Sequence, residues 1–260
     1  MRKYLSIIGL SVFLATPALA GMVTDKVSYS VGGKDFEGIL VYDDSVAAKR
    51  PAAVMAPNWM GVTPAAITKA KLLAGKKYVY FIADMYGKSI RPKGFKQASA
   101  TAGAVRKDIP GQRARINKAL DVLLAEGGKR SIIDQAKTAA IGFCFGGGNV
   151  LELARSGRAV GGVVTFHGSL KTANPADGKN IKSKVLVLHG AADPFEPKAN
   201  RDALEAELTA GGVDYQMVAF SGAVHSFTDP NAKRPGSSMY DAKVSKRAYG
   251  MMQGFFSEIF

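Results

Sequence analysis

Five short apolar runs, residues 52–56, 78–83, 138–141, 160–166 and 185–188, alternate with longer amphipathic segments along the chain. Each run is short for a helix and lacks the polar alternation of a strand with one wet face. Such runs suit central parallel strands covered on both sides. The segments between them carry helical marks. Ile116, Ala119, Leu120, Leu123 and Leu124 recur at i, i+3, i+4, i+7 and i+8 and share one face, with Gly127-Gly128 read as the end of that helix. Thr63-Pro64 predicts a cap and a first helical position. Leu204 and Leu208 precede a stop at Gly211-Gly212, and Val244, Ala248, Met251, Met252, Phe255 and Phe256 form a closing stripe. Upstream, residues 23–29 and 36–42 flank Gly32-Gly33 and read as a hairpin, while 215–220 reads as a last strand. The whole predicts one α/β domain over residues 21–260, with a mostly parallel, doubly wound sheet after an N-terminal antiparallel hairpin. Ligands in such sheets bind beyond the carboxyl ends of the strands.

The first twenty residues have a different logic. Arg2 and Lys3 precede an apolar run at 5–14, and Ala18-Leu19-Ala20 stands before Gly21. This pattern predicts a signal peptide cleaved after Ala20 and a periplasmic or secreted mature protein. The run is too short to span a bilayer, and no cysteine follows it to carry a lipid, so no stable membrane association is expected after cleavage. The net charge of +14 drops to +12 once Arg2 and Lys3 are removed. The cations are spread along the chain, without a run of five like charges or a nucleic-acid motif, so no nucleic-acid partner is expected.

Exported proteins commonly use cysteines in pairs, yet this chain has one, which cannot form an internal bridge. It sits in Gly142-Phe143-Cys144-Phe145-Gly146-Gly147-Gly148, between an apolar run and a helical segment. This is a strand–turn–helix nucleophile pattern with Cys in place of Ser, in which glycines let strand and helix approach closely. The Phe145 amide at the helix start is then placed for an oxyanion. A phosphate-binding loop is excluded, because the required Gly-Lys-Ser/Thr and G-x-G-x-x-G patterns both fail. A cysteine nucleophile needs a base and an orienting acid, in the chain order nucleophile, acid, histidine. Asp193 follows the run 185–188, and His225 lies in the loop after 215–220. His167 and His189 precede the place where a base belongs and are read as packing or hydrogen-bonding at the sheet's rim. Asp202 and Glu205 fall within a helical segment and fit the acid's place less well. No metal spacing is present, and neither metal nor cofactor is expected.

These blocks, with Asp193-Pro194 and His225-Ser226-Phe227, resemble the signature segments of the dienelactone hydrolase family, an α/β-hydrolase group. Pro57-Asn58-Trp59-Met60-Gly61 and Ala83-Asp84-Met85-Tyr86-Gly87 extend the resemblance to nearly the whole mature chain. The resemblance implies cleavage of lactones and other esters through an acyl-cysteine, with Trp59 offering a second oxyanion amide. Asn58 stands where the family usually has a Glu that controls the thiol. Lys88 stands where known members place an Arg for the substrate carboxylate, and Asp229 marks another such position. Asn58, Lys88 and Arg91 are therefore taken as substrate-binding candidates.

The leading expectation is a cysteine-dependent hydrolase of a small-molecule ester, lactone or thioester, with Cys144, Asp193 and His225 as the triad. Acyl transfer from the same acyl-cysteine to another acceptor is a second enzyme reading. An exported binding protein on the same fold is the reading from another class. The oligomeric state is left open by the sequence.

Overall fold

The computed structural model describes residues 21–260, and the expected signal segment, 1–20, lies outside them. The chain opens with β1 (Met22–Val31) and β2 (Lys34–Asp43), joined by a tight turn in which Gly32 and Gly33 both have positive φ. It then alternates: β3 (Arg50–Ala56), α1 (Pro64–Ala74), β4 (Val79–Ile82), α2 (Phe95–Lys107), α3 (Ile109–Lys129), β5 (Ile133–Phe143), α4 (Phe145–Arg155), β6 (Gly162–Phe166), β7 (Lys184–Gly190), α5 (Lys198–Ala210) and β8 (Tyr215–Phe220). A small hairpin, β9 (Lys233–Arg234) and β10 (Ser238–Met239), precedes the closing helix α6 (Ala242–Ile259).

Eight strands form one sheet in the order β1-β2-β4-β3-β5-β6-β7-β8. The β1–β2 and β2–β4 pairs are antiparallel and every later pair is parallel. The two-residue period of a strand divides the core. Val54, Ala140, Val163, Val185 and Val187 face one side, against Val105, Ile116, Val150 and Leu204 of α2, α3, α4 and α5. Met55, Ile141, Val164, Leu186 and Leu188 face the other, against Ala66 and Ala70 of α1 and Met252 and Phe256 of α6. Because both faces are covered, the buried stretches of the central strands are mostly apolar.

Two local features differ from the sequence reading. Helix α3 continues through Gly127 and Gly128 to Lys129. A Cβ on Gly127 would come within 2.6 Å of the Ile133 side chain, so this glycine serves close packing rather than helix termination. Helix α2 was not visible in the pattern, because its buried side is only Ala98, Ala102 and Val105. Thr63 behaves as expected, its hydroxyl accepting the Ala66 amide at 3.2 Å.

The strand order reverses direction between β3 and β5, which lie side by side although α1, β4, α2 and α3 separate them in sequence. Ala56 at the end of β3 pairs with Gly142 near the end of β5. The loop carrying Trp59 and the turn carrying Cys144 thus leave the sheet as neighbours. This is the crevice where open α/β sheets take their ligands. No helix among the described residues is long and apolar enough to cross a membrane.

Candidate active site

Cys144 occupies the junction of β5 and α4 with φ of 55° and ψ of −120°, a conformation that side-chain-bearing residues rarely adopt. Close approach on both sides enforces this turn. A Cβ on Gly142 would overlap the Gly146 carbonyl, and one on Gly146 would overlap the carbonyl of Ala56 at the end of β3. The Cys144 amide donates to the Phe166 carbonyl at 3.1 Å, and its own carbonyl accepts from Gly147 and Ser169. The elbow is thereby fixed between β5, β6 and the loop after β6.

His225 is brought to the thiol by the loop after β8. Its backbone is pinned by the β9–β10 hairpin: the His225 amide donates to Ser237 O at 3.2 Å and its carbonyl accepts from Met239 at 3.0 Å. Its Nδ1 lies 2.7 Å from Asp193 Oδ2, which directs Nε2 toward the thiol. The other oxygen of Asp193 accepts the amides of Phe195 at 2.9 Å and Glu196 at 3.3 Å. Asp193 is 4% exposed, so its orientation is set by these bonds rather than by water.

The charges of this pair are coupled. Burial alone would push the Cys144 thiol up, but the charge of His225, its hydrogen bond, the Phe145 amide and Arg106 together hold it below its ordinary value. Burial alone would likewise lower His225. The Cys144 charge and the bonds to Asp193 and Cys144 reverse that and raise it to about 10. The resting arrangement these shifts favour is a thiolate beside an imidazolium.

The other two histidines lie near His225 as buried groups. His167 Nε2 lies 2.8 Å from Thr228 Oγ1 and its ring packs edge-on to His225 at 5.2 Å. His189 Nε2 donates to Glu196 O at 3.1 Å. Burial depresses the pKa of both.

The three substrate-binding candidates are engaged elsewhere. Asn58 Oδ1 accepts the Met60 amide at 3.0 Å and so shapes its own loop. Lys88 Nζ is 3.5 Å from Glu37 Oε2 and 3.3 Å from Ser28 Oγ. Arg91 bonds Asp84 Oδ2 at 3.1 Å and the carbonyls of Gly87 and Glu37. Asp84 is 1% exposed, and a buried carboxylate needs a counter-charge, which Arg91 supplies while tying the loop after β4 to Glu37 of β2.

Side chains given no role by the sequence reading also converge here. Tyr86 donates from its hydroxyl to the Trp59 carbonyl at 2.7 Å, and its ring stacks on Phe145 at 5.5 Å and 24°. Arg106, at the end of α2, lies over the Phe145 ring at 5.2 Å. Lys69 of α1 donates to Thr228 Oγ1 at 3.3 Å and sits 4.1 Å over the Phe143 ring. Burial lowers its pKa to about 8 against the pull of Asp229 and Cys144. The aromatic Tyr86 between Asp84 and Gly87 was a signal in the sequence. Arg106 and Lys69 had none, because only tertiary packing brings them to the turn. Among the described residues, no cluster of three or more His, Cys, Asp or Glu is placed to hold a metal ion.

A mostly parallel sheet with a nucleophile-type turn after β5 and candidate acid and base after β7 and β8 defines an α/β-hydrolase fold. Residues 36–260 match the dienelactone hydrolase family, and the chain belongs to it. Among solved structures, the protein designated m3DLH is 36% identical with a TM-score of 0.86, the match covering 92% of this chain and 99% of that one. A dienelactone hydrolase-like promiscuous phosphotriesterase, P91, from metagenomic libraries is 36% identical with a TM-score of 0.84, over 92% and 99% of the two chains. An uncharacterized protein of Caenorhabditis elegans is 33% identical over 135 residues, which are 49% of this chain and 84% of that protein.

Proposed function

We propose that this chain is a cysteine-dependent hydrolase that cleaves a small-molecule ester, lactone or thioester through an acyl-cysteine. The observation that carries this reading is the single cysteine, held at positive φ on a strand–helix turn beside a histidine whose Nδ1 is 2.7 Å from a buried aspartate. Membership of a family named for lactone hydrolysis supports the same reaction class.

In this mechanism the Cys144 thiolate attacks the carbonyl carbon and forms a C–S bond. The amides of Phe145 and Trp59 hold the developing oxyanion. As the intermediate collapses, the bond to the leaving group breaks and the His225 imidazolium gives its proton to the departing atom. Acylation then changes His225 itself. The charge and hydrogen bond of Cys144, two of the effects that raise its pKa, are gone, so burial weighs more heavily and the ring remains a neutral base. It takes a proton from water, hydroxide equivalent adds to the thioester carbonyl, and the acid departs with the thiolate regenerated. One histidine thus serves as acid and then base because the charge of its partner disappears between the steps.

The decisive test is incubation with short p-nitrophenyl esters and thioesters, followed by mass spectrometry. An acyl adduct confined to the Cys144 peptide is expected. Turnover with no adduct there, even when the reaction is trapped in acid, would overturn the reading.

Tyr86 braces both proposed oxyanion donors, one through the Trp59 carbonyl and one through the Phe145 ring. Tyr86→Phe keeps the stacking and removes only the hydrogen bond to Trp59. Losing an oxyanion donor outright costs about 10²–10³ in kcat. Loosening one is expected to lower kcat by about tenfold with KM little changed, as steady-state kinetics on a p-nitrophenyl ester would read.

We also propose that the protein is exported, on the charged start, apolar run and Ala18-Leu19-Ala20 of the sequence. N-terminal sequencing from an exporting host should return Gly21. Full-length chain in the cytoplasmic fraction would argue against export.

A further inference from the structure

Phe195 is 53% exposed, yet its ring stands edge-on to the His225 imidazole, with centroids 5.3 Å apart and an interplanar angle of 80°. Its position is not incidental to the site. Asp193, which orients His225 through one carboxylate oxygen, fixes the Phe195 amide with the other at 2.9 Å. On the buried side of the imidazole the space is filled by His167, 2% exposed, with Phe227 packed against it at 4.9 Å. Phe195 is therefore the aromatic wall on the solvent side of the base.

The chemistry says what meets that wall. In ester cleavage the leaving oxygen must come within hydrogen-bond reach of His225 to receive its proton. Whatever is attached to that oxygen then extends over the solvent-side rim of the imidazole, where Phe195 stands. The cations that follow Phe195 in the chain are engaged: Lys198 with Asp202 at 2.7 Å, and Arg201 with the Gly190 carbonyl at 3.3 Å. The wall thus offers a ring face or edge and apolar area, the terms that favour a planar uncharged group.

Resting on the hydrolase reading above, we propose that Phe195 forms a leaving-group subsite for a flat, uncharged, apolar alcohol, so that aryl esters are the preferred substrates. An aryl ester is also intrinsically more reactive than most alkyl esters, and the test must remove that advantage. Phenyl acetate is compared with the acetate of a fluorinated aliphatic alcohol whose acidity matches that of phenol. Both give the same acetyl-enzyme, so any difference in kcat/KM belongs to acylation.

The wild-type enzyme is expected to favour the phenyl ester by about tenfold, a difference of ~1.4 kcal/mol. Phe195→Ala should lose about tenfold on phenyl acetate and stay within about twofold on the fluoroalkyl acetate, and Phe195→Trp should restore the preference. Equal loss on both esters would mean that the ring only supports His225, and that would overturn the proposal. So would a wild type that does not distinguish the two. If the wild type hydrolyses neither ester and no ester or thioester of the p-nitrophenyl panel leaves an acyl adduct on Cys144, the hydrolase reading itself fails, an outcome separate from a failure of the subsite alone.

Discussion

Cys144→Ala is expected to lower ester hydrolysis by a factor of about 10⁴ or more, while the thermal unfolding midpoint moves by only a few degrees. The catalytic loss follows from the nucleophile's role. Without sulfur no acyl intermediate forms, and only the oxyanion site and substrate binding remain to act on water. The small structural effect follows from the backbone. The turn already holds a residue with a Cβ at φ of 55°, so alanine inherits the same strain instead of adding to it. The close contacts that set the turn are made by Gly142 and Gly146, which the variant keeps. Side-chain loss at this half-buried position removes one sulfur from the edge of the core. Circular dichroism melting and p-nitrophenyl ester kinetics on the same preparation check both halves. Retention of a tenth of the wild-type rate would remove Cys144 from the mechanism.

Much of the architecture was legible because the physics behind it is local. A strand segment buried on both faces must be mostly apolar, and the central stretches of β3, β5, β6 and β7 are. A turn that brings a helix against a strand must be glycine-rich, and the segment around Cys144 is. Asp193 and His225 could be placed because they follow recognisable strands. What escaped depends on partners distant in sequence. Helix α2 buries only small side chains, so its periodicity carries little hydrophobic contrast. Strands β9 and β10, two residues each, hold the His225 backbone without any strand-like composition of their own. Lys88 and Arg91 had the charge of ligand-binding residues, but Glu37 of β2 pairs with Lys88, and Asp84, buried in the same loop, pairs with Arg91. Phe195 carried no signal in the sequence, because only the fold sets its ring beside His225.

His225→Ala is expected to be nearly as damaging to turnover as loss of the cysteine, on the order of 10⁴, because residues that act as one unit are not additive. Its more informative effect is on the thiol. In the wild type the pKa of Cys144 is lowered although burial opposes this, and His225 supplies the two largest lowering effects. A lowered thiol pKa leaves the thiolate populated at pH values where a free cysteine, near 8.5, is still protonated. Iodoacetamide alkylation of the wild type should therefore rise through a midpoint below that of a free thiol. Without His225, burial faces only the Phe145 amide and Arg106, so the midpoint should move upward, past the free-thiol value. At the alkaline end, His225 in the free enzyme loses its proton near 10, and the ion pair ends there. The kcat/KM profile should accordingly form a plateau between the lowered thiol midpoint and about pH 10. The acid limb of kcat should instead follow His225 in the acyl-enzyme, where the sulfur no longer holds its proton. Asn58 is uncharged and its side-chain oxygen accepts the Met60 amide, so it supplies no negative charge to oppose the thiolate. A wild-type alkylation midpoint at or above 8.5, the approximate value of a free thiol, would show that Cys144 and His225 do not rest as an ion pair. The acid-then-base assignment of His225 would fall with it.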